Sequence, residues 1–142
     1  MITWFSVPFV AGKERPRFFK RGRRTGTYTP KKTRVAMVKV ATAYKGASIR
    51  AHGHVAHAPK GTPVTVAIVT VRPLPKSRPK RILREPDTHK FDADNVAKLI
   101  LDGLNGVAWD DDMQVCDLRV RKYDRVRGMA ERTNVLVMWE DE

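Results

Sequence analysis

The chain has 142 residues, 42% hydrophobic and 30% charged, a balance that suits one globular domain and favours it over a disordered chain. No apolar run is long enough to cross a bilayer, Met1–Gly12 lacks the basic start of a secretory signal, and the single cysteine, Cys116, excludes an internal disulfide or a multi-cysteine zinc site; a reducing, cytoplasmic setting is expected. A formal net charge of +13 points to a polyanionic partner, nucleic acid before a merely solvated basic surface.

Met1–Val10 is rich in β-branched and aromatic residues and reads as a strand. Lys13–Lys32 follows, with Lys13, Arg15, Arg17, Lys20, Arg21, Arg23 and Arg24 as candidate phosphate contacts. Pro16, Gly22, Gly26 and Pro30 interrupt it, so an exposed arm or hairpin is expected. Phe18, Phe19 and Tyr28 among these bases suit either stacking on unpaired nucleotides or anchoring the arm to the core. Thr33–Lys45 repeats Val35, Val38, Ala41 and Tyr44 at helical spacing. Gly46–Gly61 reads as irregular. Its His52, His54 and His57 have a spacing that could bind a transition metal, but no fourth ligand is near, and a plain loop is expected.

Thr62–Val71 ends in VTVAIVTV, the near-continuous β-branched run of a buried strand. Arg72–Arg84 is broken by Pro73, Pro75 and Pro79 and reads as a second basic loop, with Lys76, Arg78, Lys80 and Arg81 as phosphate-binding candidates. Asp94–Asn105 carries an apolar stripe of Val96, Leu99, Ile100 and Leu104, and Gly106 is placed to stop that helix. Gln114–Lys122 alternates, with Cys116, Leu118 and Val120 expected to face the core. Thr133–Trp139 is a final buried strand. With no repeat and no linker, residues 1–142 read as a single α+β domain, a small mixed sheet with two main helices.

The acids are unevenly placed. Up to Arg84, twenty Lys and Arg stand against one acid, Glu14; from Glu85 onward eight stand against fourteen. Many of those acids lie in FDADNVAKLILDGLNGVAWDDDMQ, from Phe91 to Gln114. Asp92 and Asp94 share a side if that stretch is extended, and Asp94 or Asn95 is a candidate helix cap. Asp94, Lys98 and Asp102 lie four apart on one polar helix face. Asp110, Asp111 and Asp112 repel one another unless a cation collects them. Carboxylate oxygens are the ligands magnesium takes, and an ion held there can polarise a phosphate and activate a water. Lys98 is placed to neutralise developing charge. The plainer reading is a capped helix, a Lys98–Asp102 pair and a solvated acidic turn.

Three blocks stand in order and close together: Asp92-Ala-Asp94-Asn95-Val-Ala-Lys98, Asp102-Gly-Leu104-Asn105-Gly106, and Asp111-Asp112-Met-Gln114-Val115. In these the sequence resembles the RusA family of Holliday-junction resolvases, the crossover junction endodeoxyribonucleases of bacteria, prophages and phages. The Lys13–Arg17 segment and Tyr28-Thr29-Pro30-Lys31 are similar too. The resemblance implies a homodimeric endonuclease, dependent on magnesium with manganese as a substitute. It would nick two opposed strands of a four-way junction in branched double-stranded DNA during recombination and repair. It also implies Asp92, Asp94 and Asp112 as metal-binding catalytic carboxylates and Lys98 as the essential basic, positively charged catalytic side chain near the phosphate. Residues 91–115 would be the catalytic segment and 13–32 the basic arm. Two departures stand out. Phe91 replaces a proline carried by many members, and Asp110 lengthens the acidic run, leaving the ligand choice between Asp111 and Asp112 open. A non-catalytic DNA-binding or regulatory protein on the same fold is the alternative. An RNA-binding, ribosome-associated protein is a third reading, which leaves the acidic cluster unexplained.

Overall fold

In the computed structural model, which describes residues 1–141, Ile2–Val7 (β1) buries Thr3, Phe5 and Val7 and exposes Ile2, Trp4 and Ser6. That two-residue period is the mark of a strand with one covered face. A hairpin follows, Arg17–Arg21 (β2) paired with Arg24–Tyr28 (β3), turning at Gly22 with φ of 59°. It is the arm the sequence led us to expect. The Phe19 ring lies where a Cβ on the opposite Gly26 would sit, 2.8 Å from that position. Phe19 thus staples the hairpin to itself, while Phe18 stands 87% exposed.

Lys31–His52 (α1) is longer than the helix expected over Thr33–Lys45. It runs through Gly46, whose helical cost is about 1 kcal/mol, because its last turns are held by tertiary bonds. The Tyr44 hydroxyl donates to the Ala56 carbonyl at 2.6 Å, and the Ala56 N–H donates to Ser48 Oγ at 2.6 Å. Gly53, with φ of 81°, ends the helix by donating its N–H to the Ile49 carbonyl. The buried face is also different from the expected one. It comprises Thr33, Val40, Tyr44, Ala47 and Ser48, and Val35 and Val38 remain exposed.

Val64–Val71 (β4) is a central strand, as its composition suggests. It is antiparallel to Arg132–Met138 (β8), which in turn pairs antiparallel with β1, and parallel to Val115–Lys122 (β6). The sheet order is therefore β1-β8-β4-β6. A short pairing joins Arg84–Glu85 (β5) to Arg125–Val126 (β7). With Ala93–Leu104 (α2), these elements make the α+β fold of two helices and a mixed sheet. Among the described residues no helix is long and apolar enough to cross a membrane.

The core lies between the helices and one face of the sheet. Phe5, Val66, Ile68 and Val135 meet Val40, Tyr44, Val96 and Ile100 there, and this burial is the main favourable term in folding. The pairing shifts at the start of β6: Val64 opposes Val115, but Thr65 opposes Asp117. Cys116 falls into that bulge and is exposed, not turned to the core as the alternation suggested. Leu118 and Val120 do oppose the buried Val66 and Ile68, yet β6 is an edge strand and Leu118 stays 43% exposed. The other sheet face has no helix over it. Trp4, Leu136 and Ala67 form one cross-strand row on it, and Ile2, Met138 and Thr65 the next.

Candidate active site

Helix α2 opens at Asp92, its N-cap residue, whose carboxylate makes no capping bond. The cap is thus neither Asp94 nor Asn95. Asp94 is already in the first helical turn, so the extended geometry that would align it with Asp92 does not apply. Asp94, Lys98 and Asp102 rise along one face at four-residue spacing, away from the buried Val96, Leu99 and Ile100. Asp102 pairs with Lys13, through Oδ2 and Nζ, and not with Lys98. The Lys13 N–H also donates to the Asn95 carbonyl at 3.0 Å. The root of the basic arm is therefore fastened to α2 at two points. Lys98 is exposed and, among the described residues, pairs with no carboxylate.

The acidic turn follows α2. Ala108 and Trp109, both fully buried, anchor it from inside. From Asp110 the chain surfaces and closes a short 3-10 turn, Asp112–Gln114, capped by Asp111, whose Oδ1 accepts the Met113 N–H at 2.9 Å. Gln114 grips both sides. Its Oε1 accepts the N–H groups of Asp110 and Asp111 at 3.1 and 3.3 Å, and its Nε2 donates to the carbonyls of Pro59 and Thr62 at 2.9 and 3.2 Å.

The histidines separate. His52 Nε2 lies 3.0 Å from Thr3 Oγ1, and His54 Nδ1 lies 3.1 Å from the His52 carbonyl. His57 reaches the acidic turn, with Nε2 2.8 Å from Asp110 Oδ1 and Nδ1 2.9 Å from the Val107 carbonyl. Both ring nitrogens face acceptors, an arrangement that only the imidazolium, with its two N–H donors, satisfies in full. Burial alone would lower the His57 pKa; the bonds to Asp110 and then to Val107 outweigh it, and the pKa is raised. Sequence reasoning missed this role. Its signal is a contact across fifty residues, which local spacing does not carry.

Asp112, largely exposed, has a raised pKa, first from partial loss of solvent, then from its hydrogen bond to Asp111 and the nearby charges of Asp111 and Asp102. Asp102, Asp111 and Asp112 are thus electrostatic neighbours. No three His, Cys, Asp or Glu side chains among the described residues stand close enough to enclose a metal ion, so Asp92, Asp94 and Asp112 form no preassembled cage. The donor chemistry nonetheless fits a hard divalent cation. All the donors are carboxylate oxygens, and a cation beside Asp112 would relieve the repulsion it feels from Asp111 and Asp102. Magnesium needs only one or two protein carboxylates, completing its shell with water and phosphate.

The expected DNA contacts fall into two groups. Arg15, Lys20, Arg21, Arg23 and Arg24 on the arm and Lys76, Lys80 and Arg81 in the second loop are exposed. Three are engaged in the protein itself: Lys13 with Asp102, Arg17 with Glu14 at 3.4 Å, and Arg78 with Glu85 at 2.8 Å. Arg125 and then Arg78 lower the Glu85 pKa, tying the second loop to β7.

A family model described as endodeoxyribonuclease RusA matches residues 8–137. The chain is also 37% identical over 70 residues to the uncharacterized protein YqaN of Bacillus subtilis (strain 168), a match covering 43% of this chain and 49% of that one. The matched stretch thus spans about half the length of that curated relative.

Proposed function

The chain belongs to the RusA endodeoxyribonuclease family, and from that premise we propose that it is a metal-dependent, structure-selective nuclease that resolves four-way DNA junctions by paired nicks in recombination and repair. In this reading one domain acts in the cytoplasm, with residues 91–115 as its catalytic segment and 13–32 as its DNA-binding arm. One observation supports it above the others. In a chain of net charge +13, the basic arm is pinned by Lys13 to the same acidic cluster that carries an unrelieved carboxylate, Asp112. Polyanion binding and cation binding meet at one place.

Asp92, Asp94 and Asp112 would hold the ion, with Asp111 the alternative to Asp112. When bound, magnesium or manganese supplies Lewis-acid polarisation of the phosphate and a water of lowered pKa. The chain's own residues do the rest. His57 and Gln114 hold the acidic turn in place, and Lys13 neutralises Asp102 so that a phosphate is not repelled as it approaches. Lys98 presents an ammonium to the charge that builds on the scissile phosphate. Exposed arginines and lysines of the arm and second loop bind flanking phosphates. Opposed strands of a near-symmetric junction need two such sites, which a C2 dimer provides.

The test is a labelled four-way junction against linear duplex and RNA, in magnesium or in chelator. Paired symmetric nicks on the junction, only in magnesium, are expected. Asp94→Asn should abolish cleavage while leaving junction binding intact or tighter, since a negative charge near phosphate is lost. Normal cutting by that variant would overturn the chemistry. The competing reading, a binding protein on the same fold, draws on the lack of a preassembled three-carboxylate group among the described residues. It expects magnesium-independent junction binding and no nicked product.

A further inference from the structure

A groove of about 1200 Å³ opens beside the acidic site, between the Phe9–Arg15 segment, the amino end of α1 and the stretch from Lys90 to Asn95. We propose that this groove holds a short single-stranded DNA segment, the strand that continues past the phosphate to be cut. The inference rests on the endonuclease reading and specifies the form of its substrate.

Charge sets the class of ligand. Lys31, Lys32, Lys39 and Lys90 line the groove and among the described residues none pairs with a carboxylate, whereas the lining acids Glu14 and Glu131 are met by Arg17 at 3.4 Å and Arg72 at 3.8 Å. Lys31 and Lys32 occupy the first turn of α1, where there is no acidic residue and no side-chain cap. Two ammonium groups at the positive end of a helix dipole repel it in the free protein, and phosphates lying along the groove remove that penalty. Asp92 is at the groove's edge, so a strand lying in it leads to the entrance of α2.

Shape and floor decide between one strand and two. The volume exceeds the roughly 300–1,000 Å³ of small-molecule sites, which favours a stretch of polymer over a metabolite. Phe9 and Phe91 line it, each half-buried against the core. The Lys39 ammonium lies 5.9 Å from the centre of the Phe9 ring, and that of Lys90 lies 5.0 Å from the centre of Phe91. Aromatic floor with cationic rim is the pattern that receives unpaired bases, whose faces are free to stack; a duplex keeps its base faces stacked on one another. Frayed strands at a branch point have such bases.

The experiment measures anisotropy of a labelled oligodeoxythymidine of about eight nucleotides, in chelator, across a salt series, for wild type and for the combined Lys31→Ala, Lys32→Ala, Lys39→Ala and Lys90→Ala variant. All four lysines are exposed, and circular dichroism confirms that the variant folds. The log–log salt slope should flatten by about 0.7 per lost contact, close to 2.8 for all four. Phe91→Leu should weaken oligonucleotide binding about fivefold or more, while linear-duplex binding changes little. An unchanged slope would overturn the proposal. So would equal losses on oligonucleotide and duplex, which mark a general phosphate surface, or equal losses on inorganic polyphosphate, which mark a general polyanion surface. Junction cleavage in magnesium tests the enzyme reading separately. Groove-dependent oligonucleotide binding by a protein that never nicks would sustain the groove and sink the nuclease.

Discussion

His57 and Asp112 have raised pKa values of opposite consequence, and pH separates them. His57 gains acceptors on folding, so its folded pKa lies above the ordinary 6.5 and its contribution is fully present below that value. The contribution is lost as pH rises through the folded pKa. His57→Gln should therefore lower stability most below pH 6.5 and progressively less as pH rises beyond it, read as the difference in urea midpoint from wild type. A difference that does not change with pH would show that the imidazolium plays no part in holding the turn. Asp112 is a carboxyl raised above 3.8, so the folded state prefers it protonated, and stability falls as pH climbs from 3.8 through the raised value. At neutral pH the ionised side chain is a burden. Asp112→Asn should stabilise the fold there, by under about 1 kcal/mol because the site is exposed and screened, while removing a proposed metal ligand. Lower stability at pH 7 would contradict the crowding of Asp102, Asp111 and Asp112. A residue kept at a cost to folding is what a functional carboxylate looks like.

At the scale of elements, α1 and α2 must approach closely for the acidic face to be presented, and Gly103 permits it. A Cβ there would lie 3.1 Å from the Met37 carbonyl oxygen and from Val40. Gly103→Ala should cost about 1–3 kcal/mol by overpacking, seen as a lower urea midpoint with an unchanged m-value; no change would mean that the helices slide apart freely. Legibility in the sequence divides along the same line. Helix α2 was readable to within a residue at each end, because Val96, Leu99, Ile100 and Leu104 form a strong stripe that Gly106 terminates. Helix α1 was not, because its apolar residues lie on two faces and its carboxyl half is held by Ser48 and Tyr44 bonding a later loop. The bulge that turns Cys116 outward comes from pairing with β4, a partner fifty residues away that the local alternation does not reveal. The candidate site shows the same division. Its acids and Lys98 were visible as a motif, whereas the clasp from His57 and the Lys13–Asp102 pair join distant parts of the chain.

The whole molecule leaves one large feature unexplained by its own folding, the bare face of the sheet. Trp4 is 66% and Ile2 50% exposed, beside Leu136 and Met138 in the adjoining strand. Contiguous apolar surface of this kind is the usual mark of an interface. A second copy is the occupant that the proposed chemistry asks for, since two opposed nicks need two sites related by a two-fold axis. Arg119 ends the Trp4 row and Asp117 the Ile2 row, and the two pair with each other at 3.0 Å, so the apolar rows are bounded on the β6 side by a charge pair that is already neutralised. Trp4, the largest and most exposed apolar side chain of these rows, is the natural anchor. Trp4→Arg should weaken dimerisation by 2 kcal/mol or more, about thirtyfold in Kd, and move the protein toward monomer in sedimentation at micromolar concentration. On a junction, the variant should give single nicks in place of paired ones. A wild type that is monomeric, or a Trp4→Arg protein that sediments and nicks as before, would place the dimer interface elsewhere or remove it.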